Sequence, residues 1–350
     1  MSDADTERID GEALGAFGHE VFTATGLDSA SATVLADALV SASLRGIDTH
    51  GIVRVDPYSR KLDQGGYNPS PIPTVSTRSD SVAVLDADEG PGPVAADRAM
   101  EESVAMAKRT GVGATVVTNS NHFGMAAYYT LYAADEDCLG LAMSHGGPRV
   151  APFGGVDPFF GTNPIAYSVP TDREFDITLD MSTSASANAK IRRARERGEP
   201  IPDDWAVDGS GASTTDPSAV HALQPLGGAK GYGLGLLVEL CTGLLAGTVF
   251  APEVNTPFDD YSKPMRIGHY LLALDIDAFR DVEVFKTDVG ELIDRLKSVR
   301  TADGVDEVRL PGERAARTAV ERERDGIPVD RTTRERLAAV GEKYGVDFPY

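Results

Sequence analysis

The residues best equipped for chemistry lie in one stretch, Arg45-Gly46-Ile47-Asp48-Thr49-His50-Gly51-Ile52-Val53-Arg54. A histidine exchanges a proton near neutral pH, and an arginine grips a carboxylate through two parallel hydrogen bonds. One turn of chain therefore carries both groups needed to bind and oxidise a hydroxy acid. The same residues also read as a helix cap with surface arginines. Thr49 is suited to cap a helix with His50 in its first turn. The dipole of such a helix start would disfavour the imidazolium and keep the base form.

A second histidine stands in Ser120-Asn121-His122-Phe123-Gly124, between a predicted strand and helix, where α/β proteins gather ligands. The alternative is a histidine satisfied by a backbone carbonyl. His145 follows the next strand in Ser144-His145-Gly146-Gly147, so two successive strand ends carry a histidine. The spacings match no HExxH and no paired cysteines, and no metal is expected. Asp180-Met181-Ser182 ends a further strand with a carboxylate and a hydroxyl, suited to a ribose diol or to a helix cap. Leu226-Gly227-Gly228-Ala229-Lys230-Gly231-Tyr232-Gly233 is a glycine-rich turn with one lysine, opening an apolar helix. It reads as an anion cradle or as a structural glycine turn, and it lacks Walker spacing. Gly90-Pro91-Gly92-Pro93-Val94-Ala95 imitates a dinucleotide fingerprint but is rejected as one. Its prolines remove N–H donors, and no acid follows the next strand to hold a ribose.

The elements that must position these groups alternate. Residues 8 to 64 read as helical, with Asp28-Ser29 as a start and Gly46 as a stop. Strands are predicted at 82–85, 113–118, 139–144 and 177–181, and helices at 94–110, 125–135, 231–247, 277–300 and 315–345. This alternation argues an α/β architecture. Residues 191–225 are polar and Pro/Gly-containing, a long excursion of the kind that is usually functional or mobile. The expected organisation is a helical N-terminal region (1–75) that contributes catalytic residues, a central α/β domain (76–305), and a C-terminal helical segment (306–350) packing back on the core.

Composition narrows the function classes. The 350 residues hold 33 Lys+Arg against 54 Asp+Glu, a net charge of -21. That disfavours nucleic acid and anionic membranes as partners. No apolar run reaches the roughly 18 residues of a membrane span, and the acidic start is unlike a secretory signal, so a cytoplasmic protein is expected. The acids are dispersed and lysine is scarce beside arginine. A surface of this kind keeps a protein soluble at molar salt, where screening acts within about 3 Å; a halophilic source is expected.

In order along the chain, RGIDTHGIVR (45–54), SNHFG (120–124), FGGVDPFFGTNPIAYSVP (153–170), LDMSTSASANAKI (179–191), GEPIPDDWAVD (198–208), TTDP (214–217), PLGGAKGYGL (225–234) and LPGER (310–314) resemble the malate/L-lactate dehydrogenase family. That group includes sulfolactate, ureidoglycolate, diketogulonate and piperideine-carboxylate oxidoreductases. The resemblance implies a non-Rossmann NAD(P)-binding fold, NAD or NADP as cofactor, a small 2-hydroxy or 2-oxo acid as substrate, and a homodimer or higher homo-oligomer. It places a first histidine at His50, with Arg54 near the substrate carboxylate, and a second, the proposed acid/base of some members, at His122; of the two, His50 is the expected proton shuttle and His122 its partner or rival. Cofactor contacts fall on Ser144, Asp180, Met181, Ser182, Lys230, Gly231 and the Gly312-Glu313-Arg314 turn. The family usually has Ser where this chain has Thr49, which keeps the hydroxyl for capping or relay and adds a methyl. The runner-up reading is an NADPH-dependent reductase of a cyclic 2-imino acid, and a third is a catalytically silent homologue.

Overall fold

The computed structural model describes residues 5–350. The chain opens with strand β1 (Thr6–Ile9), helix α1 (Gly11–Ala24) and helix α2 (Ser29–Leu44). Asp10 and Asp28 cap these helices, their carboxylates accepting from the N–H groups of Ala13 and Ser31, each at 3.0 Å. Such caps satisfy donors that a helix start leaves open.

After α2 the chain departs from the expected helix. It makes two 3-10 turns, Asp48–His50 and Ile52–Arg54, before α3 (Val55–Gln64). Thr49 therefore lies inside a turn and is not the N-cap of a helix, and no side chain caps either turn. The cause is Gly51. Its backbone lies so close to α2 that a Cβ there would overlap the Ser43 hydroxyl. That hydroxyl accepts from the Ile52 N–H at 2.9 Å and fastens the turn to α2.

The remaining elements follow in order: β2 (Thr74–Ser79), β3 (Val82–Asp86), α4 (Gly92–Thr110), β4 (Val112–Ser120), α5 (Ala127–Asp135), β5 (Cys138–Ser144), β6 (Ile165–Val169) and β7 (Ile177–Met181). Then come α6 (Asn188–Arg197), β8 (Ala206–Val207), β9 (Ala222–Leu223), α7 (Ala229–Glu239), β10 (Ile267–Asp275), α8 (Val282–Lys297), α9 (Glu313–Asp325), β11 (Ile327–Asp330) and α10 (Arg331–Tyr344). Strands β2, β6 and β10 were not expected from the sequence, and two further spans differ from its reading. The 191–225 excursion contains most of α6 and the β8–β9 pair, and β11 interrupts the helix expected over 315–345.

Seven strands form one sheet in the order β2-β3-β4-β10-β5-β6-β7. Only β3 and β4 pair in parallel; every other neighbour is antiparallel. The late strand β10 slots between β4 and β5, antiparallel to both. That insertion sends the C-terminal ends of β4 and β5 out at one edge of the sheet. Because β6 reverses and β7 reverses again, Met181 joins Ser120 and Ser144 along that edge.

Two cores hold this edge in place. Met100, Val117, Tyr129 and Leu271 pack α4 and α5 onto the sheet. Leu14, Phe22, Leu35 and Tyr58 share the other core with Leu337 and Phe348, so helices α1, α2 and α3 close on α10 and the segment after it. β1 and β11 seal them as an antiparallel pair, Ile9 opposite Ile327. Burial of side chains this size contributes on the order of 1.5–3 kcal/mol each. Among the described residues no helix is long and apolar enough to cross a membrane.

Candidate active site

The 3-10 turn after α2 and the loop after β4 bring two histidines face to face. The rings of His50 and His122 stack with centroids 5.5 Å apart and planes 11° from parallel. The Thr49 hydroxyl lies 3.1 Å from His50 Nδ1. Arg54 donates through Nε to the Thr49 carbonyl at 2.7 Å, and its guanidinium lies 4.6 Å from the centre of the Phe258 ring. These two contacts fix the plane of the fork, while its terminal nitrogens have no partner among the described residues.

The loop carrying His122 is clamped from below. A Cβ at Gly92 would overlap the carbonyl oxygens of Asn121 and His122. Asn121 Nδ2 donates to the carbonyls of Glu89 (2.9 Å) and Gly90 (3.0 Å), and its Oδ1 accepts from the Met265 N–H at 2.8 Å. The Gly-Pro-Gly-Pro turn thus serves as a floor for the histidine loop.

The electrostatics suit neutral imidazoles. Burial, then the Arg54 charge, lowers His50 to about 4. Burial, Arg54, His50 and His269 hold His122 well below the ordinary histidine range. Yet both rings keep part of their surface open to solvent, as side chains lining a cleft do. The expectation that a helix dipole would favour neutral His50 is corrected here. No helix starts at His50; desolvation and a neighbouring cation do the work.

The expected cofactor residues divide. Asp180, Met181 and Ser182 lie at the end of β7 on the same sheet edge. Asp180 accepts from the Ala127 N–H at 2.9 Å, at the start of α5, so its carboxylate caps that helix. Burial raises it to about 6, against backbone N–H groups of Ala127 and Ala126 and the Arg45 charge. The Ser144 hydroxyl is buried and bonded to His269 Nδ1 at 2.8 Å. Gly312, at φ +88°, packs against Thr178 where a Cβ would come within 2.9 Å, bringing the Gly312-Glu313-Arg314 turn to β7. Glu313 is buried and spent inside that turn, accepting from Lys297 Nζ (2.6 Å), Arg317 (2.5 Å) and the Leu310 N–H (3.2 Å). Arg314 is exposed. Lys230 is exposed in the first turn of α7, which starts at Gly228 without a side-chain cap. Gly231 presses on Leu226, where a Cβ would overlap the carbonyl oxygen.

These features fit a dinucleotide cofactor in kind. An uncapped helix start with a lysine that has no partner among the described residues offers N–H donors and a positive charge to phosphate, and a strand end with hydroxyls lies on the same sheet edge as the His122 loop.

His145 is different from its sequence reading. It is buried, with Nδ1 2.8 Å from the Thr242 hydroxyl and Nε2 2.8 Å from the Val249 carbonyl. Both nitrogens are consumed, so it is a structural histidine. Sequence reasoning missed Tyr58, whose hydroxyl lies 2.7 Å from His122 Nδ1. Its spacing of four from Arg54 on a helix was the available signal. It also missed Phe258 and His269, which come from distant segments with no local signature.

A family model described as malate/L-lactate dehydrogenase matches residues 9–338. The chain belongs to this family. It is 36% identical over 351 residues to the malate dehydrogenase of Pyrococcus horikoshii, covering 97% of this chain and 96% of that one. It is 36% identical over 288 residues to the NAD(+) ureidoglycolate dehydrogenase of Escherichia coli O157:H7, covering 82% of each. The crystal structure of malate dehydrogenase from Entamoeba histolytica superimposes with a TM-score of 0.93 at 30% identity, covering 99% of this chain and 100% of that one. The malate/L-lactate dehydrogenase fold is thereby established for this chain, with its mixed sheet in place of a Rossmann sheet.

Proposed function

We propose that this malate/L-lactate dehydrogenase family member moves a hydride between the nicotinamide of NAD or NADP and C2 of a 2-hydroxy or 2-oxo acid of the malate or L-lactate type. The observation that carries this reading is the unspent hydrogen-bonding capacity of Arg54 beside two neutral histidines in one cleft. The free ends of the Arg54 fork take the substrate carboxylate through two parallel bonds. His50, neutral at pH 7, takes the hydroxyl proton during oxidation and returns it during reduction. The Thr49 hydroxyl orients its ring through Nδ1. Phe258 covers Arg54 and excludes water from its charge.

A bound nicotinamide supplies or accepts the hydride. Ser182, Met181, Lys230, Gly231 and Arg314 are the residues that would hold the cofactor, with Asp180 setting the start of α5 beneath it. Ser144 and Glu313 shape the walls and turns around it.

Two further parts of the reading concern the whole molecule. Leu234, Leu237, Leu240, Leu244 and Leu245 are exposed along α7 and the turn after it. An apolar stripe of this size favours self-association, and a homodimer or higher homo-oligomer is the state we assign. The dispersed negative charge suits a cytoplasmic enzyme working at molar salt, and unfolding in dilute buffer is the expected behaviour.

The test compares His50→Ala and His122→Ala in a substrate panel of malate, lactate, sulfolactate, ureidoglycolate and a piperideine-carboxylate, with both cofactors, at molar salt. His50→Ala should lose on the order of 10²–10⁴ in oxidation rate. Near-normal turnover would remove His50 as the shuttle. Turnover of the cyclic imine alone would replace the hydroxy-acid reading with imine reduction.

A further inference from the structure

The stacked histidines differ in what their Nδ1 atoms meet. Beside His50 Nδ1 stands a hydroxyl, Thr49, which can donate or accept. His122 Nδ1 meets two groups: the Tyr58 hydroxyl at 2.7 Å and the Gly124 N–H at 3.3 Å. A backbone N–H can only donate. A proton on His122 Nδ1 would point at that N–H and leave the Gly124 donor unpaired. A lone pair there accepts from Gly124 and from the Tyr58 hydroxyl together. The neutral ring must then carry its proton on Nε2.

We infer that Tyr58, together with the Gly124 N–H, locks His122 as the Nε2–H tautomer, so that His122 donates a hydrogen bond to the C2 oxygen of the substrate and does not carry the reaction proton. This rests on the proposed hydroxy-acid chemistry of the same cleft. Tyr58 is a positioning residue: it touches His122 and acts through it.

The proton balance follows. In oxidation the hydroxyl proton goes to His50, the C2 hydride goes to the nicotinamide, and the C–O single bond becomes a carbonyl. Throughout, His122 keeps its Nε2 proton and polarises the oxygen, as a neutral imidazole held in that state can. Its environment agrees with this division. Arg54, His50 and His269 all oppose a cation on His122, and burial opposes it further. The same burial raises the Tyr58 phenol, so it stays protonated and available to donate. His122 is held in place by Asn121, whose side chain is bonded on both sides, and by Phe258, edge-on at 5.7 Å.

The readout is nitrogen NMR of histidine-labelled full-length protein without substrate, with His122→Ala used to assign the signal. His122 is expected to show a pyridine-type Nδ1 and a protonated Nε2 at pH 7.5. A protonated Nδ1, or an imidazolium at that pH, would overturn the inference whatever the activity data show. Tyr58→Phe removes one hydroxyl. It is expected to lower kcat by about 10- to 100-fold, the usual effect of losing an outer partner of a functional histidine. The cofactor Kd should not move, and a second His122 tautomer should appear. Unchanged kcat, or reduced kcat with an unchanged tautomer signal, removes Tyr58 from the role. If Tyr58→Phe does not fold, the wild-type tautomer alone decides. Failure of the hydroxy-acid reading shows instead in the substrate panel and leaves the tautomer measurement intact.

Discussion

Four histidines occupy two neighbouring regions of this molecule, and burial makes all four resist protonation. His50 and His122 line the cleft; His145 and His269 lie behind it. The pairs differ in hydrogen-bonding capacity. His269 bridges the Ser144 and Ser120 hydroxyls at 2.8 Å each, and His145 bridges Thr242 and the Val249 carbonyl. The cleft pair is engaged only through Nδ1. A depressed pKa therefore marks burial in both pairs, and a part-exposed ring with an unspent nitrogen sets the cleft pair apart.

The largest effect should come from exchanging roles across that divide. His50→Gln is expected to lose on the order of 10²–10⁴ in kcat while its unfolding midpoint in urea stays put. His145→Leu should do the reverse. It leaves the Val249 carbonyl without its partner and costs about 1–3 kcal/mol of stability, with kcat per folded molecule retained. A large kcat loss in His145→Leu at full folding would abolish the distinction.

Next in size is Arg54→Lys. The single ammonium cannot reproduce the fork that Phe258 and the Thr49 carbonyl hold in plane. The KM for the acid should rise roughly ten- to a hundred-fold, the cost of a charged hydrogen bond. A KM within two-fold of wild type would mean that the carboxylate binds elsewhere.

The pH response sharpens the comparison from the stability side. His269 sits at about 3 in the fold, below the ordinary value of an unfolded histidine. Between those values the unfolded chain binds the extra proton, so this contribution is intact at pH 7 and is lost as pH falls below about 6.5. At pH 5 the loss is about 2 kcal/mol. Asp180, raised to about 6, pulls the opposite way over an overlapping range, because the folded state then holds the extra proton. The readout must therefore be a difference between variant and wild type. His269→Gln should shrink the fall in urea stability between pH 7 and pH 5 by that amount, and an unchanged slope would show that His269 is protonated in the fold.

The two regions also differ in how well the sequence displayed them. His50, Arg54 and His122 were visible because glycines and polar residues cluster locally around them. The Gly90–Pro93 turn was rejected as a dinucleotide loop on its prolines, and its close packing under Asn121 and His122 gives it a structural role. His145 looked like a site because strand-end position is visible while hydrogen-bond partners are not. Its partners come from residues 242 and 249, far along the chain. The 3-10 path through Thr49 was hidden for a similar reason, since it depends on Gly51 meeting Ser43. β10, which keeps the parallel-running β4 and β5 from pairing directly, was not expected as a strand and gives no local sign of its neighbours. Phe258 reaches Arg54 from a loop that the buried Lys61 ammonium holds through the carbonyls of Asp260 (2.8 Å) and Lys263 (2.7 Å).

The smallest expected effect concerns substrate choice. Arg192 lies on α6, in the stretch that read as an irregular excursion, and its side chain is 75% exposed. Burial is the main force against the Arg54 cation, and the charges of Arg192 and Arg336 act in the same direction. Arg336 faces Asp56 at 4.0 Å, while among the described residues Arg192 has only Glu196 at 3.8 Å on its own helix. Arg149 is drawn to Asp259 at 3.4 Å. A second anionic group on the substrate would gain from Arg192, and a monoanion such as lactate has none to offer. Arg192→Ala should raise the KM for malate or sulfolactate about two- to five-fold, the scale of an exposed ion pair, and leave lactate unchanged. The gap should narrow as salt is raised across the range in which the protein stays folded, because screening shortens the reach of the charge. An equal rise for lactate would show that Arg192 acts on the shared carboxylate through Arg54, and would leave the second anion to be recognised elsewhere in the cleft.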